Sequence, residues 1–540
     1  MTDPDLDRFD SRRSTVYAPS GVVATSQPLA SMSGISVLRD GGNAFDAAVA
    51  TAASLNVVEP TSTGLGGDVF ALYRTAGDTI EGMQSCGSAP GDATAQAVRD
   101  RVAEDQGIDP TSATMPHTGP HTVTVPGTAR GWEAILDRHG TMDLETVLEP
   151  VIRYAKDGFP VTEVVSSQWE QAEELFDDPH AREAYLFDGE APKTGQTVSL
   201  PRLGRSLELV AERGADVVYE GELGAAIVEE VQSKGGLLSR SDMASHEARF
   251  VDPISTTYRD VDVFELPPTN QGLVALEALN VAEALEGTTA RFGSVEYTHS
   301  LIEAMKIAFH DGHHHIADPD FESVPDLAST SYARRRASSV SEMAREDVSV
   351  GYPDATGENA DTVMLSVGDA EGNLVSFINS RYDGFGSGLV AGETGIALQN
   401  RGASFSLDED DPNAIEPGKR PFHTLIPGIA RFDDNDHLAF GVMGGFMQPQ
   451  GHLQVLTNLV DGDLPLQTAL DRPRWRYRSS GRLAVEERMG NTLPTKLARR
   501  GHSVEVLPPS EFGGAQAVRL SDGVLSAATE PRKDGAALGL

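Results

Sequence analysis

The chain has 540 residues, 39% of them hydrophobic, enough to bury a full core in one very large domain or in about two to three ordinary ones. It carries 81 acidic and 43 basic side chains, a formal charge of −38, and such a surface repels nucleic acid and anionic membranes. Arginine outnumbers lysine and aspartate is spread along the chain, which reads as adaptation to a salty cytoplasm, where screening relieves self-repulsion, rather than as a dedicated cationic partner.

Cys86 is the single cysteine, so no intrachain disulfide and no cysteine-based metal site forms. The N-terminal stretch MTDPDLDRFDSRR lacks the apolar core, roughly 7–15 residues long, of a secretory leader. No run of roughly 18 apolar residues is present to span a bilayer. The expected location is the cytoplasm.

In chain order, Val22 to Thr25 reads as a short strand. Ser26 is expected to cap a helix that starts near Pro28 and stops at Asp40-Gly41-Gly42. Asn43 caps the next helix, whose alanines predict close packing. The glycine loop Ser62 to Asp68 lies between a helix and a strand, the reverse of the dinucleotide fingerprint, and lacks the Walker lysine. It is therefore read as a tight turn or a close backbone approach near a site. Strands follow at Val69 to Arg74 and Thr79 to Ser85. Residues 160–250 read as mainly helical, Phe250 to Phe264 as strands, and about 273–285 and 296–316 as long helices. His310, His313, His314 and His315 lie on the last of these; 310 and 314 share a face, but no HExxH pattern is present, so helix packing is favoured over a metal site. Residues 325–361 are charged and rich in turn formers, and read as a mobile connector. Strands and helices then mix to the C-terminus without a βαβ rhythm, which favours an α+β layered fold.

The connector leads into a hairpin, DTVMLSVGDAEGNLVSFINS, from Asp361 to Ser380. Val363, Leu365 and Val367 alternate toward one face, Asp369 to Asn373 turns, and Leu374 to Ser380 returns. A turn centred on Glu371-Gly372 sets Thr362 opposite the Ser380-Arg381-Tyr382 end. The pattern alone also fits an ordinary surface hairpin. There is no GxSxG elbow and Cys86 has no evident partner. A threonine becomes a nucleophile when it is a chain N-terminus, since its α-amine, with a reference pKa of roughly 7.7–8.0, can take the hydroxyl proton. A strand-initial threonine after a polar connector suits that role.

Nine stretches in order (SQPLAS, GGNAFDAAVA, VVEPTSTGLGGD, VPGTARGWE, DTVMLSVGD, FGSGLVAGETGI, PGKRPFHTLIP, GVMGG and EPRKDGAA) resemble the gamma-glutamyltranspeptidase (glutathione hydrolase) family of the Ntn-hydrolase superfamily, nearer its oxamate amidohydrolase-like subgroup. The resemblance implies a four-layer αββα sandwich, a single large domain made of two autocleaved pieces, 1–361 and 362–540, cut between Asp361 and Thr362. It implies Thr362 as nucleophile with its freed amine as base, Ser380 as the supporting hydroxyl, and Gly444 and Gly445 as oxyanion-binding amides. Val363 and Met364 stand where typical members have threonine and histidine.

The substrate pocket departs from the family pattern. Cys86 replaces the arginine that pairs with the glutamyl α-carboxylate, and Ser404 the aspartate that holds the α-amino group. Arg401 replaces a glutamine, His423-Thr424 a serine pair, and Tyr382 an asparagine. Arg401 either offers its guanidinium to a substrate carboxylate or forms a surface ion pair, and His423 either positions the substrate or packs. With no long insert between Leu407 and Pro417, the site is expected to be open.

The activity implied is hydrolysis or acyl transfer at gamma-glutamyl amide bonds through an acyl-enzyme. The alternatives are a small non-glutamyl amide such as oxamate, an acylase, or an inactive binding homologue. Partners implied are a small amide substrate, water or an amino acid or peptide acceptor, and the two pieces of one precursor, with a homodimer left open. No cofactor and no metal are implied.

Overall fold

The structure, a computed structural model, describes residues 13–345 and 362–540. Two antiparallel seven-stranded sheets form its centre. In spatial order the first sheet contains Val16–Ala18, Val524–Thr529, Gly514–Ser521, Asp436–Met443, Gly428–Asp433, Val261–Glu265 and Ile254–Tyr258. The second contains Ala536–Gly539, Gly21–Thr25, Val363–Asp369, Leu374–Ser380, Asp68–Arg74, Ile80–Ser85 and Arg249–Val251. The hairpin strands therefore lie in mid-sheet, flanked by Gly21–Thr25 and Asp68–Arg74.

Alternation along each strand sends side chains to opposite faces, and here both faces are covered. Met364 and Ile378 meet Ile429, Ala439 and Val518 of the other sheet. Val363, Leu365 and Val367 point the other way, into a core shared with the Ala44–Val58 helix. Leu438, Phe440 and Val442 of the first sheet pack on the Gly272–Ala284, Val295–His315 and Met447–Val460 helices. Helix layer, two sheets and helix layer give the expected αββα arrangement.

The hairpin is thus a core element, not a surface one: every residue of both strands is buried. Its register pairs Val363 with Asn379 and Gly368 with Leu374, centring the turn on Glu371. The Ala44–Val58 helix is buried along its whole length and opens on a capping box between Asn43 and Asp46. Its first free N–H, at Ala44, donates to Asp369 Oδ2 at 2.8 Å, tying the helix to the hairpin turn.

Two local readings are corrected. Gln27, not Ser26, caps the Pro28–Arg39 helix; the Ser26 hydroxyl instead donates to buried Glu59 Oε2 at 2.5 Å. Within the expected connector, Thr330–Ala337 is a helix held by Arg336, which grips Asp311 through Nε and Nη2 at 2.6 and 2.8 Å. Asp361 and the rest of 346–361 lie outside the described residues. Among the described residues no helix is long and apolar enough to cross a membrane.

Candidate active site

Thr362 sits immediately before its strand, and continuing the register places it opposite Ser380. Its Oγ1 donates to Ser380 Oγ at 3.2 Å, and both residues are buried. Ser380 Oγ also accepts the Tyr382 N–H at 2.8 Å. That bond turns the chain back on itself, and Tyr382 adopts φ +85°, a left-handed conformation rare for a bulky residue. The same turn lays the Tyr382 ring beneath the Arg401 guanidinium, with Cζ 4.3 Å from the ring centroid.

Gly444 and Gly445 end the Asp436–Met443 strand and lead into the Met447–Val460 helix. Their φ values of +116° and +56° suit glycine, and a Cβ on Gly444 would stand 3.1 Å from the Gly513 Cα. Across the sandwich, the Met364 sulfur lies 2.6 Å from where a Cβ on Gly441 would be. Because Met364 is two residues past Thr362 and Gly441 three before Gly444, the glycine pair and Thr362 share one end of the sandwich. Among the described residues the Gly444 and Gly445 N–H groups donate to no protein acceptor. The Gly445 carbonyl is anchored by Gln271 Nε2 at 2.9 Å.

The expected substrate residues gather around an acid that sequence reasoning did not single out, Asp68. His423 Nδ1 accepts the Leu425 N–H at 3.3 Å, so its proton is on Nε2, which donates to Asp68 Oδ2 at 3.1 Å. Gln399 Nε2 and the Gly127 N–H both donate to Asp68 Oδ1 at 3.1 Å. Burial pushes the Asp68 carboxyl up to about 7, against the opposing pull of Arg401 and these donors. Burial, then the Arg401 charge, holds His423 well below the usual imidazole range, so it is neutral. Cys86 lies in the same field; burial and then the Asp68 charge push its thiol up to about 12, which makes it inert.

Arg401 is wholly buried, not a surface ion-pair partner. Its Nη1 donates to Thr424 Oγ1 at 2.9 Å, while Nε and Nη2 have no hydrogen-bond partner among the described residues. Ser404, in the same turn, is buried, and its hydroxyl has no partner among the described residues. Thr362, Tyr382, Arg401, Ser404, His423 and Thr424 are all buried. The sequence signal for Asp68 is the glycine pair before it: a Cβ on Gly66 or Gly67 would stand 2.3 Å from the carbonyl oxygen of Ala397 or Ser380. That loop is the close backbone approach expected of it.

The histidine run takes no part. His313 packs among Phe309, Phe422 and Phe446, and burial pushes it down to about 3. His314 Nδ1 donates to the His310 carbonyl at 2.7 Å. A separate group, His299, Glu303 and His502, has ligand atoms within 4.8 Å of one another, but Lys306 Nζ already pairs with Glu303 at 2.7 Å.

A sandwich of two antiparallel sheets between helix layers, with a threonine at the head of a central strand, defines an N-terminal-nucleophile hydrolase fold. The family model described as gamma-glutamyltranspeptidase matches residues 30–540, and the chain belongs to that family. It is 36% identical to the glutathione hydrolase-like YwrD proenzyme of Bacillus subtilis, over 97% of this chain and 99% of that one. It is also 36% identical to the oxamate amidohydrolase proenzyme of Klebsiella pneumoniae, over 96% and 98%. The crystal structure of a cephalosporin acylase from Bacillus halodurans superimposes with TM-score 0.89 at 39% identity, covering 100% of this chain and 99% of that one. The protein is therefore an enzyme of this family, a zymogen-derived hydrolase or transferase that handles amides through an acyl-enzyme.

Proposed function

We propose that the enzyme cleaves gamma-glutamyl amides, with Thr362 as its nucleophile after scission of the Asp361–Thr362 bond. The observation that carries this reading is the Thr362–Ser380 hydroxyl pair, at the same end of the sandwich as two glycine N–H groups that meet no acceptor among the described residues. The freed Thr362 amine takes the hydroxyl proton as Oγ1 attacks the amide carbon. The Gly444 and Gly445 N–H groups meet the oxyanion; in other enzymes loss of one such donor costs about 3 kcal/mol. The tetrahedral adduct collapses, the C–N bond breaks, and the leaving amine takes the proton back from the Thr362 ammonium. Water, or an amino acid or peptide amine, then attacks the ester with the same amine as base. Ser380 orients Thr362 Oγ1 throughout.

A second reading, a small or non-glutamyl amide, draws support from the neutral Ser404 where the family holds the α-ammonium, and from the names of the oxamate amidohydrolase and acylase relatives. Turnover of a gamma-glutamyl anilide and of oxamate, each with and without glycylglycine, separates the two. Faster release from the anilide is expected; turnover confined to oxamate overturns the gamma-glutamyl assignment.

A further inference from the structure

Three arginines, Arg420 buried and Arg336 and Arg519 half-buried, show what a guanidinium does here when a carboxylate is in reach. Arg336 takes Asp311, Arg420 takes Asp318 and Arg519 takes Asp436, each through the same two donors, Nε and Nη2. That edge is the side-on fork that matches the two oxygens of a carboxylate. In Arg401 it is the edge that meets no hydrogen-bond partner among the described residues. The guanidinium cannot turn to hide it: Nη1 is tied to Thr424 and the flat face lies on Tyr382. Asp68 does not fill it either. Its Oδ2 stops 4.0 Å from Nε because its oxygens face His423, Gln399 and Gly127.

We infer that the Nε–Nη2 edge of Arg401 seats a free carboxylate on the acyl half of the substrate, and that Asp68 sets how firmly that carboxylate is held. The inference rests on the Thr362 reading and deepens it. The acyl half is the part that stays through the acyl-enzyme, and a fully buried seat suits the part that stays, while the leaving amine must reach solvent. The contact path from nucleophile to seat is short: Thr362 to Ser380, Ser380 to the Tyr382 N–H, Tyr382 ring to Arg401. Ser404, three residues on in the same turn, has a hydroxyl that can bond a carboxylate but offers no charge to an ammonium. The substrate class is therefore amides of acids that carry a second carboxylate, with or without an α-amino group.

Asp68 is faced by the Arg401 cation, neutral His423, the un-ionised Cys86 thiol and, more distantly, the Tyr219 hydroxyl. Protonated, it leaves Arg401 free for the substrate. As pH rises through about 7 it ionises, shares the Arg401 charge and repels an incoming carboxylate. Carboxylate substrates then lose ground relative to neutral ones.

The test uses the processed enzyme and three p-nitroanilides, glutaryl, gamma-glutamyl and valeryl, which share a leaving group. Because they also share the Thr362 amine, ratios of kcat/KM cancel its titration. Glutaryl should exceed valeryl by about 100-fold, as two charge-assisted bonds allow. Gamma-glutamyl should stay within about tenfold of glutaryl. Arg401→Gln should collapse the glutaryl-to-valeryl ratio. That ratio should fall between pH 6 and 8 in the wild type and stay level in Asp68→Asn. Equal turnover of glutaryl and valeryl by cut enzyme, or an unchanged ratio in Arg401→Gln, overturns the seat and leaves Thr362 standing. A gamma-glutamyl preference near 100-fold over glutaryl overturns the Asp68 assignment, since the acid would then be holding an ammonium. If the wild type stays uncut and inert, the Thr362 reading fails, and calorimetry of glutarate binding decides the seat: binding to wild type that Asp68→Asn makes pH-independent supports it, and no binding overturns it. Should Arg401→Gln not fold, the wild-type and Asp68→Asn pH profiles carry the decision.

Discussion

Two buried arginine clusters in this molecule are built alike and finished differently. At one, Arg474 and Arg532 close on Glu530 and Glu486: Arg474 Nη2 is 2.8 Å from Glu530, and Arg532 reaches both acids, with Nη2 2.6 Å from Glu486. The second Glu530 oxygen is met by Arg532 and the first by the Ala515 N–H at 2.7 Å. At the other, Arg401 and Ser404 keep donors that no described residue accepts. An unpaired polar group in a low-dielectric interior costs roughly 1–3 kcal/mol. A cluster whose arginines and acids answer one another holds the fold together. One that keeps several free has room for a ligand to complete it.

The largest effect that sharpens this contrast comes from the nucleophile. Thr362→Ala should leave a single uncut band on a denaturing gel and no turnover, while the melting temperature changes little; two bands from that variant would break the proposed mechanism. Next is the finished cluster. Glu530→Gln should destabilise the fold by about 3–5 kcal/mol in denaturant unfolding, because it strands buried arginine charge, with the ratio of glutaryl to valeryl turnover unmoved. A shift in that ratio would mean that the two clusters are not separate.

The pH dependence of stability should run in opposite directions. Burial pushes Glu530 up, but Arg474 and Arg532 outweigh it and hold the carboxyl below its usual value of 4.5. Its contribution is present above 4.5 and lost as pH falls through the lower folded value. Asp68 is raised from 3.8 to about 7, so its contribution is full below 3.8 and lost as pH climbs to about 7. Asp68→Asn should therefore lessen the fall in melting temperature on the neutral side, and Glu530→Gln on the acid side. Matching profiles for the two variants would refute the difference. The smallest effect is general: with a formal charge of −38, the melting temperature should drop as salt is withdrawn, and indifference to salt would remove the halophilic reading.

How far the sequence reaches depends on the range of the interaction. The hairpin register is legible because period-two alternation and one turn settle it within twenty residues, and so Thr362 meets Ser380 as read. The Asn43 cap is legible for the same local reason. That both hairpin faces are covered was not legible, since a half-buried and a fully buried strand differ only in what packs on them. Cap choice at Gln27 was missed because Ser26 is drawn away by Glu59, which lies 33 residues later.

By itself the sequence determined the family, the strand that leads with Thr362, and the glycines that free two amides, all carried by short contiguous patterns. Tertiary structure alone decided that Asp68 would stand between His423 and Arg401, with 355 residues separating it from His423. The physical reason is that a buried charge is defined by its neighbours in space, and those come from strands and turns that only sheet pairing brings together.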